Sequence, residues 1–287
     1  MAEPESRNSP PHPTISPDEL TKCFRGLGLR EGDRIAMHAS LSSIGTVDGG
    51  AAMVIHRLMN VLGKNGLLLM PTFTSITRHS STHDRFTKAG CWCEGKESRH
   101  LPFIPELQPD REMGEIAYRL CSWPASRRSR HPAFSFAAVG RESDALMRTY
   151  SQTDPLDPLK TMVKHEASVL TIGLELDSVT AIHLAEQRRS PTKFATERAL
   201  TMGRTGPLWV DIVAPGCSAG FRKVGDNIDP KNVQHANIGS AQATLYRMNQ
   251  LVTTAEELLT DDPSVLDCGR AECLSCRARM RGFGRAN

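Results

Sequence analysis

Between Asp33 and Pro71 the chain sets out a strand, a loop of small residues, a helix and a second strand. Asp33 to His38 reads as a short buried strand. Ala39 to Gly50 is rich in Ser, Thr and Gly and has no apolar period. Ala51 to Leu62 then places Val54, Leu58, Val61 and Leu62 at helical spacing. Gly66 to Pro71, with Leu67, Leu68, Leu69 and Met70 in succession, is an apolar run suited to a strand buried on both faces. Two such strands joined through a helix form a βαβ unit, which requires a parallel pair and a helix covering the sheet. The fold class expected is therefore α/β: one domain around a mostly parallel central sheet with helices on both faces.

Other segments extend this frame. Ser16-Pro17-Asp18-Glu19 offers a capping box with proline in the first turn, so a helix is expected from there to about Gly26–Gly28. Further strands are expected over Phe134 to Val139, Ser168 to Leu174 and Leu208 to Val213. Helices are expected over Glu112 to Cys121, Arg141 to Tyr150, Ser178 to Arg188 and Ser240 to Leu259. Thr74 to Asp110 lacks periodicity and carries Trp92 and three prolines, the marks of a functional loop such as a lid or substrate wall. Residues 1–15, rich in Pro and Ser, read as a disordered leader, 16–262 as the main domain, and 263–287 as a short basic segment containing cysteines.

At 287 residues the chain is long enough to bury a substantial core. A formal net charge of +3 argues against a nucleic-acid binder. The local clusters at Arg127, Arg128 and Arg130, and from Arg270 to Arg285, each read first as a solvated face. No apolar run reaches membrane-spanning length, and the N-terminus lacks the apolar stretch of a signal peptide. Eight cysteines without a secretory signal are expected as reduced thiols, and a cytoplasmic location follows.

Two places carry chemistry. In the Ala39 to Gly50 loop, backbone N–H groups can converge on a phosphate oxygen, and the helix N-terminus after it favours negative charge. A plain structural turn explains the same composition equally well, and the loop is neither a Walker loop nor a GxGxxG fingerprint. The second place is His183 with Glu186, three apart on one helical face near the C-terminal edge of a parallel sheet. A helical His–Glu pair taken alone is more often a surface pair than a catalytic one.

The segment His38-Ala39-Ser40-Leu41-Ser42-Ser43-Ile44-Gly45, with Gly49-Gly50, resembles the first motif of the aminoglycoside 3-N-acetyltransferases. Four more segments match in order: Leu69-Met70-Pro71-Thr72, Arg128 to Phe136, Asp157-Pro158-Leu159, and Ile182-His183-Leu184-Ala185-Glu186. Gly216-Cys217-Ser218-Ala219-Gly220-Phe221 is similar to a late family segment. The resemblance implies an α/β fold with acetyl-coenzyme A beside the first loop, its phosphates on Ser40, Leu41, Ser42 and Ser43. It also implies cofactor-wall roles for His38, Gly45, Ser129, His131 and Ser135. Arg127, Arg128 and Arg130 would either help with the 3′-phosphate or remain a solvated cluster. His183 would be the general base, with Glu186 orienting it.

On this reading acetyl passes by direct attack, without an acyl-enzyme, to a primary amine of an aminoglycoside or similar polyamine. The amine implied is the 3-amino group of the 2-deoxystreptamine ring. A polycationic substrate calls for carboxylates, and Asp84, Glu112, Glu175 and Asp177 are the candidates, with Glu106 beside them. Thr74 to Asp110 does not match the family, which leaves the acceptor open. The partners expected are this amine and coenzyme A, with no membrane and no nucleic acid; the sequence does not give the oligomeric state. Competing readings are a hydrolase or amidase, weakened by the missing Gly-x-Ser-x-Gly elbow, and a coenzyme A-binding protein without turnover. A zinc-dependent nucleic-acid module over Cys268 to Arg285 is a third, and it conflicts with the near-neutral charge.

Cys268, Cys273 and Cys276 follow the pattern Cys-x4-Cys-x2-Cys, close to structural zinc knuckles. A tetrahedral site needs a fourth ligand, and Cys217 is the one expected. Four sulfurs leave no position for water or substrate, so such a zinc would be structural. The alternative is a set of unpaired thiols in a disordered tail. His79, His83 and Asp84 form a weaker metal signal in the long loop.

Overall fold

The computed structural model describes residues 14–79, 100–148, 151, 154–189 and 195–277. Helix α1, Pro17–Gly26, starts on the expected capping box: Ser16 Oγ accepts from Glu19 N at 3.3 Å, and Glu19 Oε2 accepts from Ser16 N at 2.7 Å. Just before the cap, Ile15 bridges Val47 of the small-residue loop. Strand β1, Arg34–Ala39, leads into that loop, which contains a single helical turn, α2, Leu41–Ile44. Helix α3, Gly50–Leu62, and strand β2, Leu67–Pro71, complete the βαβ unit. The parallel register, Ile35 with Leu68, is the one the sequence demands.

The chain continues through β3 (Arg78–His79), α4 (Gly114–Cys121), β4 (Arg127–Arg128), β5 (Phe136–Gly140), α5 (Ser143–Arg148), α6 (Asp157–Lys164) and β6 (Ser168–Ile172). It then forms α7 (His183–Arg189), β7 (Ala195–Gly203), β8 (Gly206–Ala214), α8 (Arg222–Gly225), β9 (Val233–Ile238), β10 (Ala241–Arg247) and α9 (Met248–Asp261). The main sheet runs β4-β5-β2-β1-β6-β10-β9. Its centre, β2-β1-β6, is parallel, and antiparallel strands extend it on both sides. Side chains alternate across it. Ile35, Met37, Leu68, Met70, Leu170 and Ile172 pack with α1, α3 and α4, whereas Ala36, Leu67, Leu69 and Val169 pack with α6, α7 and α9.

Two expectations need correction. Ser240 to Leu259 is not one helix: Ala241–Arg247 is a strand paired with both β6 and β9, and only Met248–Asp261 is helical. Ala241 and Ala243 are buried and Gln242 is exposed, an alternation too short for its period to be read unaided. Strands β7 and β9 were not expected at all. The β7–β8 hairpin joins β3 in a separate three-stranded sheet, where Arg78 Nη2 meets Glu197 Oε2 at 2.6 Å. Part of the long Thr74 to Asp110 segment belongs to that sheet's surroundings: Phe103 is buried and its N–H donates to Leu200 O.

Candidate active site

Every strand of the parallel centre ends at one edge, where α/β proteins gather ligands. At the end of β1, Ser40 N donates to Ile172 O at 2.9 Å, and Ser40 Oγ caps α2 by accepting from Ser43 N at 3.3 Å. Ser43 Oγ donates to Ser40 Oγ at 2.8 Å, and Ser42 Oγ lies 3.1 Å from the same atom. The turn is clamped from beneath. A Cβ on Gly173, which closes β6 at φ +64°, would lie 2.3 Å from Ser43 Cβ, and one on Gly239 would lie 2.2 Å from Ile44 O. Only glycine permits these approaches. Leu41, Ser43 and Gly45 are half-buried, whereas Ser42 is exposed at the sheet edge.

From Gly173 the chain passes through two 3₁₀ turns, Leu176–Ser178 and Thr180–Ile182, to His183 at the start of α7. The helix expected from Ser178 starts only at His183; the Ser178 hydroxyl donates to Glu175 O at 2.7 Å and closes the first turn. His183 Nδ1 donates to Glu186 Oε2 at 2.6 Å, and the two side chains are only 5% and 6% exposed. The Phe221 ring packs on the imidazole edge to face, with centroids 4.7 Å apart. A carboxylate acceptor at Nδ1 favours the tautomer with the proton on Nδ1, leaving Nε2 as the acceptor nitrogen of the neutral ring. The i,i+3 pair is thus interior, not the surface pair such spacing usually gives.

His38 and His131 are also enclosed. Burial lowers His38 from 6.5 to about 4. His131 Nδ1 accepts from Phe134 N at 2.9 Å and Ala133 N at 3.2 Å, and its pKa falls to about 3, mainly through burial. Both are neutral in the folded chain near neutral pH. As pH falls below 6.5 the unfolded chain takes up protons that these two sites refuse, so stability is lost from pH 6.5 down to about 4 for His38 and about 3 for His131. We expect a loss on the order of a few kcal/mol in urea titrations over that window. In His38→Asn the slope of stability against pH should be shallower, and an unchanged slope would remove His38 from this account.

Ser129 and Ser135 are fully buried. Ser129 Oγ accepts from Phe136 N at 2.9 Å, and Ser135 Oγ donates to Thr72 O at 2.7 Å. These hydrogen bonds shape the wall behind the strand ends. The arginines around them do not form one basic cluster. Arg127 pairs with Asp144 at the surface and Arg130 is exposed. Arg128 turns inward, donating to Thr72 O at 2.6 Å, Thr74 Oγ1 at 2.8 Å, and the carbonyls of Pro105 and Leu107. Five donors in a fixed fork suit this carbonyl-rich niche.

Of the acidic candidates, Glu175 and Asp177 lie on the connection from β6 to His183. Glu175 is exposed, and Asp177 pairs with Arg222 at 3.0 Å. Glu112 and Glu106 are exposed, Glu112 just before Gly114, which packs against Ala39 O at the same edge. Asp84 and His83 lie outside the described residues; His79 is exposed in β3, its ring 6.0 Å from that of Trp209. Sequence reasoning assigned no role to Asp110, which accepts from Ser75 N at 2.8 Å and ties the long loop to the end of β2. Burial raises its carboxyl above the ordinary value.

At the other end of the Phe221 loop, Cys217, Cys268, Cys273 and Cys276 place their sulfurs within 4.8 Å of one another. Cys268 N donates to Cys276 Sγ at 3.5 Å. Burial pushes the Cys273 thiol up to about 11, so it is a poor nucleophile.

Residues 37–260 match the family described as Aminoglycoside 3-N-acetyltransferase. The chain belongs to that family. A relative, the SPbeta prophage-derived aminoglycoside N(3')-acetyltransferase-like protein YokD of Bacillus subtilis, is 28% identical over 85% of this chain and 92% of its own length. Its crystal structure superposes with a TM-score of 0.73 at 26% identity, over 86% of this chain and 99% of that one. Aminoglycoside N(3)-acetyltransferase IX of Micromonospora chalcea is 33% identical over 56% of this chain, and the alignment spans 57% of that relative. The structure of AAC(3)-Xa superposes with a TM-score of 0.75 at 25% identity, covering 86% of this chain and 93% of that one. The acetyltransferase match takes in the Ser40 turn, the His183–Glu186 pair and Cys217, and stops short of the other three cysteines. Phe221 also lies within it; its only sequence signal was the Gly216 to Phe221 segment.

Proposed function

We propose that this acetyltransferase-family chain transfers acetyl from acetyl-coenzyme A to a primary amine of an aminoglycoside or similar polyamine. The amine we favour is the 3-amino group of the 2-deoxystreptamine ring. The observation that carries this reading is the buried 2.6 Å contact between His183 and Glu186, beside the edge that presents the Ser40 to Ser43 turn. Backbone N–H groups of that turn would hold the coenzyme phosphates, with Ser42 nearest solvent. His38, Gly45, Ser129, His131 and Ser135 would act from behind, by shaping the wall.

His183 Nε2 takes a proton from the amine as its nitrogen attacks the thioester carbonyl; the C–N bond forms and the C–S bond breaks. Glu186 holds the imidazole and balances the charge it acquires. The departing thiolate then receives the proton, and the ring returns to neutral. Glu112 and Glu175, exposed at the same edge, and Asp84 from the long loop would face the cationic acceptor. Asp177 would contribute once released from Arg222. No acyl-enzyme is required, and the reaction would take place in the cytoplasm, where reduced thiols persist.

The same reading includes a structural zinc on Cys217, Cys268, Cys273 and Cys276. Zn–S bonds of about 2.3 Å in a tetrahedron put sulfurs roughly 3.8 Å apart, which suits four sulfurs already inside 4.8 Å.

The test is thiol release from acetyl-coenzyme A, with and without an aminoglycoside or simple polyamine. Release that depends on the amine and yields an N-acetylated product is expected. Release without any amine would support a hydrolase instead, and tight coenzyme binding without release would leave a binding protein.

A further inference from the structure

We infer that the four-cysteine site is a positioning element for His183, acting through the loop from Cys217 to Phe221. This rests on reading His183 as the base and the cysteines as zinc ligands.

Phe221 is the contact between the two sites. Its ring is fully buried and meets the His183 imidazole edge to face at 4.7 Å. The imidazole is thereby fixed from two directions, by Glu186 on Nδ1 and by the ring of Phe221. Phe221 is delivered by an irregular loop that leaves β8 after Ala214 and carries Cys217. Within that loop Phe221 N donates to Ser218 O at 2.9 Å, a local turn that sets the loop's shape.

The C-terminal arm supplies the outside anchor. A Cβ on Gly220 would lie 2.2 Å from Leu266 O and 2.8 Å from Asp267 O, so the arm lies directly on the loop. Lys223 Nζ donates to Val265 O at 2.7 Å, and Leu266 is fully buried in the same core as Phe221 and Val224. Cys268 follows immediately, and Cys273 and Cys276 fold back so that all three sulfurs face Cys217. A zinc ion there would bond the loop to the arm one turn away from the residue that holds the base. Displacing a catalytic group by about 1 Å costs up to roughly 10²-fold in rate, so the staple acts on turnover rather than on coenzyme binding.

The experiment uses the full chain purified without added metal. Elemental analysis should find about one zinc per chain. Cys273→Ser should release it and lower kcat about tenfold, with desulfo-coenzyme A affinity within about twofold. The His183 Nδ1 proton resonance should shift or broaden at the same time. Phe221→Leu, which keeps the cysteines, should retain zinc and lose a similar factor in kcat. In the Phe221→Leu background Cys273→Ser should cost little more, because the coupling is already broken. Independent, multiplicative losses would overturn the inference, as would zinc loss with kcat and the His183 resonance intact. A metal-free chain with an ordered arm, for instance one closed by a Cys268–Cys276 disulfide, would overturn both the metal reading and the inference. The His183 reading is judged separately: an inactive His183→Ala beside a fully active Cys273→Ser sinks only the coupling.

Discussion

His183→Ala should lower the rate of acetyl transfer by roughly 10²-fold or more, the usual loss when a general base is removed. The side chain is interior, its Nδ1 held by Glu186 at 2.6 Å, and no solvent-exposed imidazole on the same turn can replace it. Affinity for desulfo-coenzyme A should change little, because the Ser40 to Ser43 turn hydrogen-bonds to β6 and is braced by Gly173 and Gly239. Truncation also removes a hydrogen-bond partner of the buried Glu186 carboxylate, so stability will fall, and folding must be checked by near-UV circular dichroism. Glu186→Gln supplies the second measurement. Its amide oxygen can still accept from Nδ1 but carries no charge to balance the imidazolium. It should therefore lose about tenfold, less than His183→Ala. Near-normal turnover in His183→Ala would exclude it as the base and move attention to His38.

Ser42→Pro should weaken coenzyme binding by roughly 10- to 10²-fold, the worth of one hydrogen bond to a charged group. Ser42 is an exposed residue, the second of α2, in the first turn of a helix where backbone N–H groups lack an intrahelical acceptor. Proline removes this donor and disfavours the helical conformation at Leu41. Ser42→Ala keeps the N–H and loses only the contact with Ser40 Oγ, so it should be mild. Titration with desulfo-coenzyme A separates the two. Unchanged affinity in the proline variant would defeat the assignment of this turn to the phosphates, while a large loss in the alanine variant would move the contact from backbone to hydroxyl.

The readings that held are those whose signals lie within a few residues. The cap at Ser16 is set by Glu19 three positions on, and the helix over Gly50–Leu62 by a repeating apolar stripe. The strand at Leu67 is marked by an apolar run, and the βαβ rule turns these local facts into the parallel centre of the sheet. One long-range choice stands apart from these: Cys217, chosen on the single requirement of a fourth thiolate, lies within 4.8 Å of the other three sulfurs. What failed depends on partners far along the chain. Ala241–Arg247 resembles the start of a helix until β6 and β9 offer it hydrogen bonds on both edges. Arg128 looks like one of three surface cations until Thr72, Pro105 and Leu107 present their carbonyls to it. The same holds for His183 and Glu186, whose spacing is compatible with solvent or interior. By itself, then, the sequence determined the βαβ frame, the small-residue composition of the turn after β1 and the presence of a His–Glu pair three residues apart. Only the tertiary structure decided that His183 is buried against Glu186 and Phe221. Burial is a property of surfaces that meet after folding, and local spacing carries no record of what will cover a side chain.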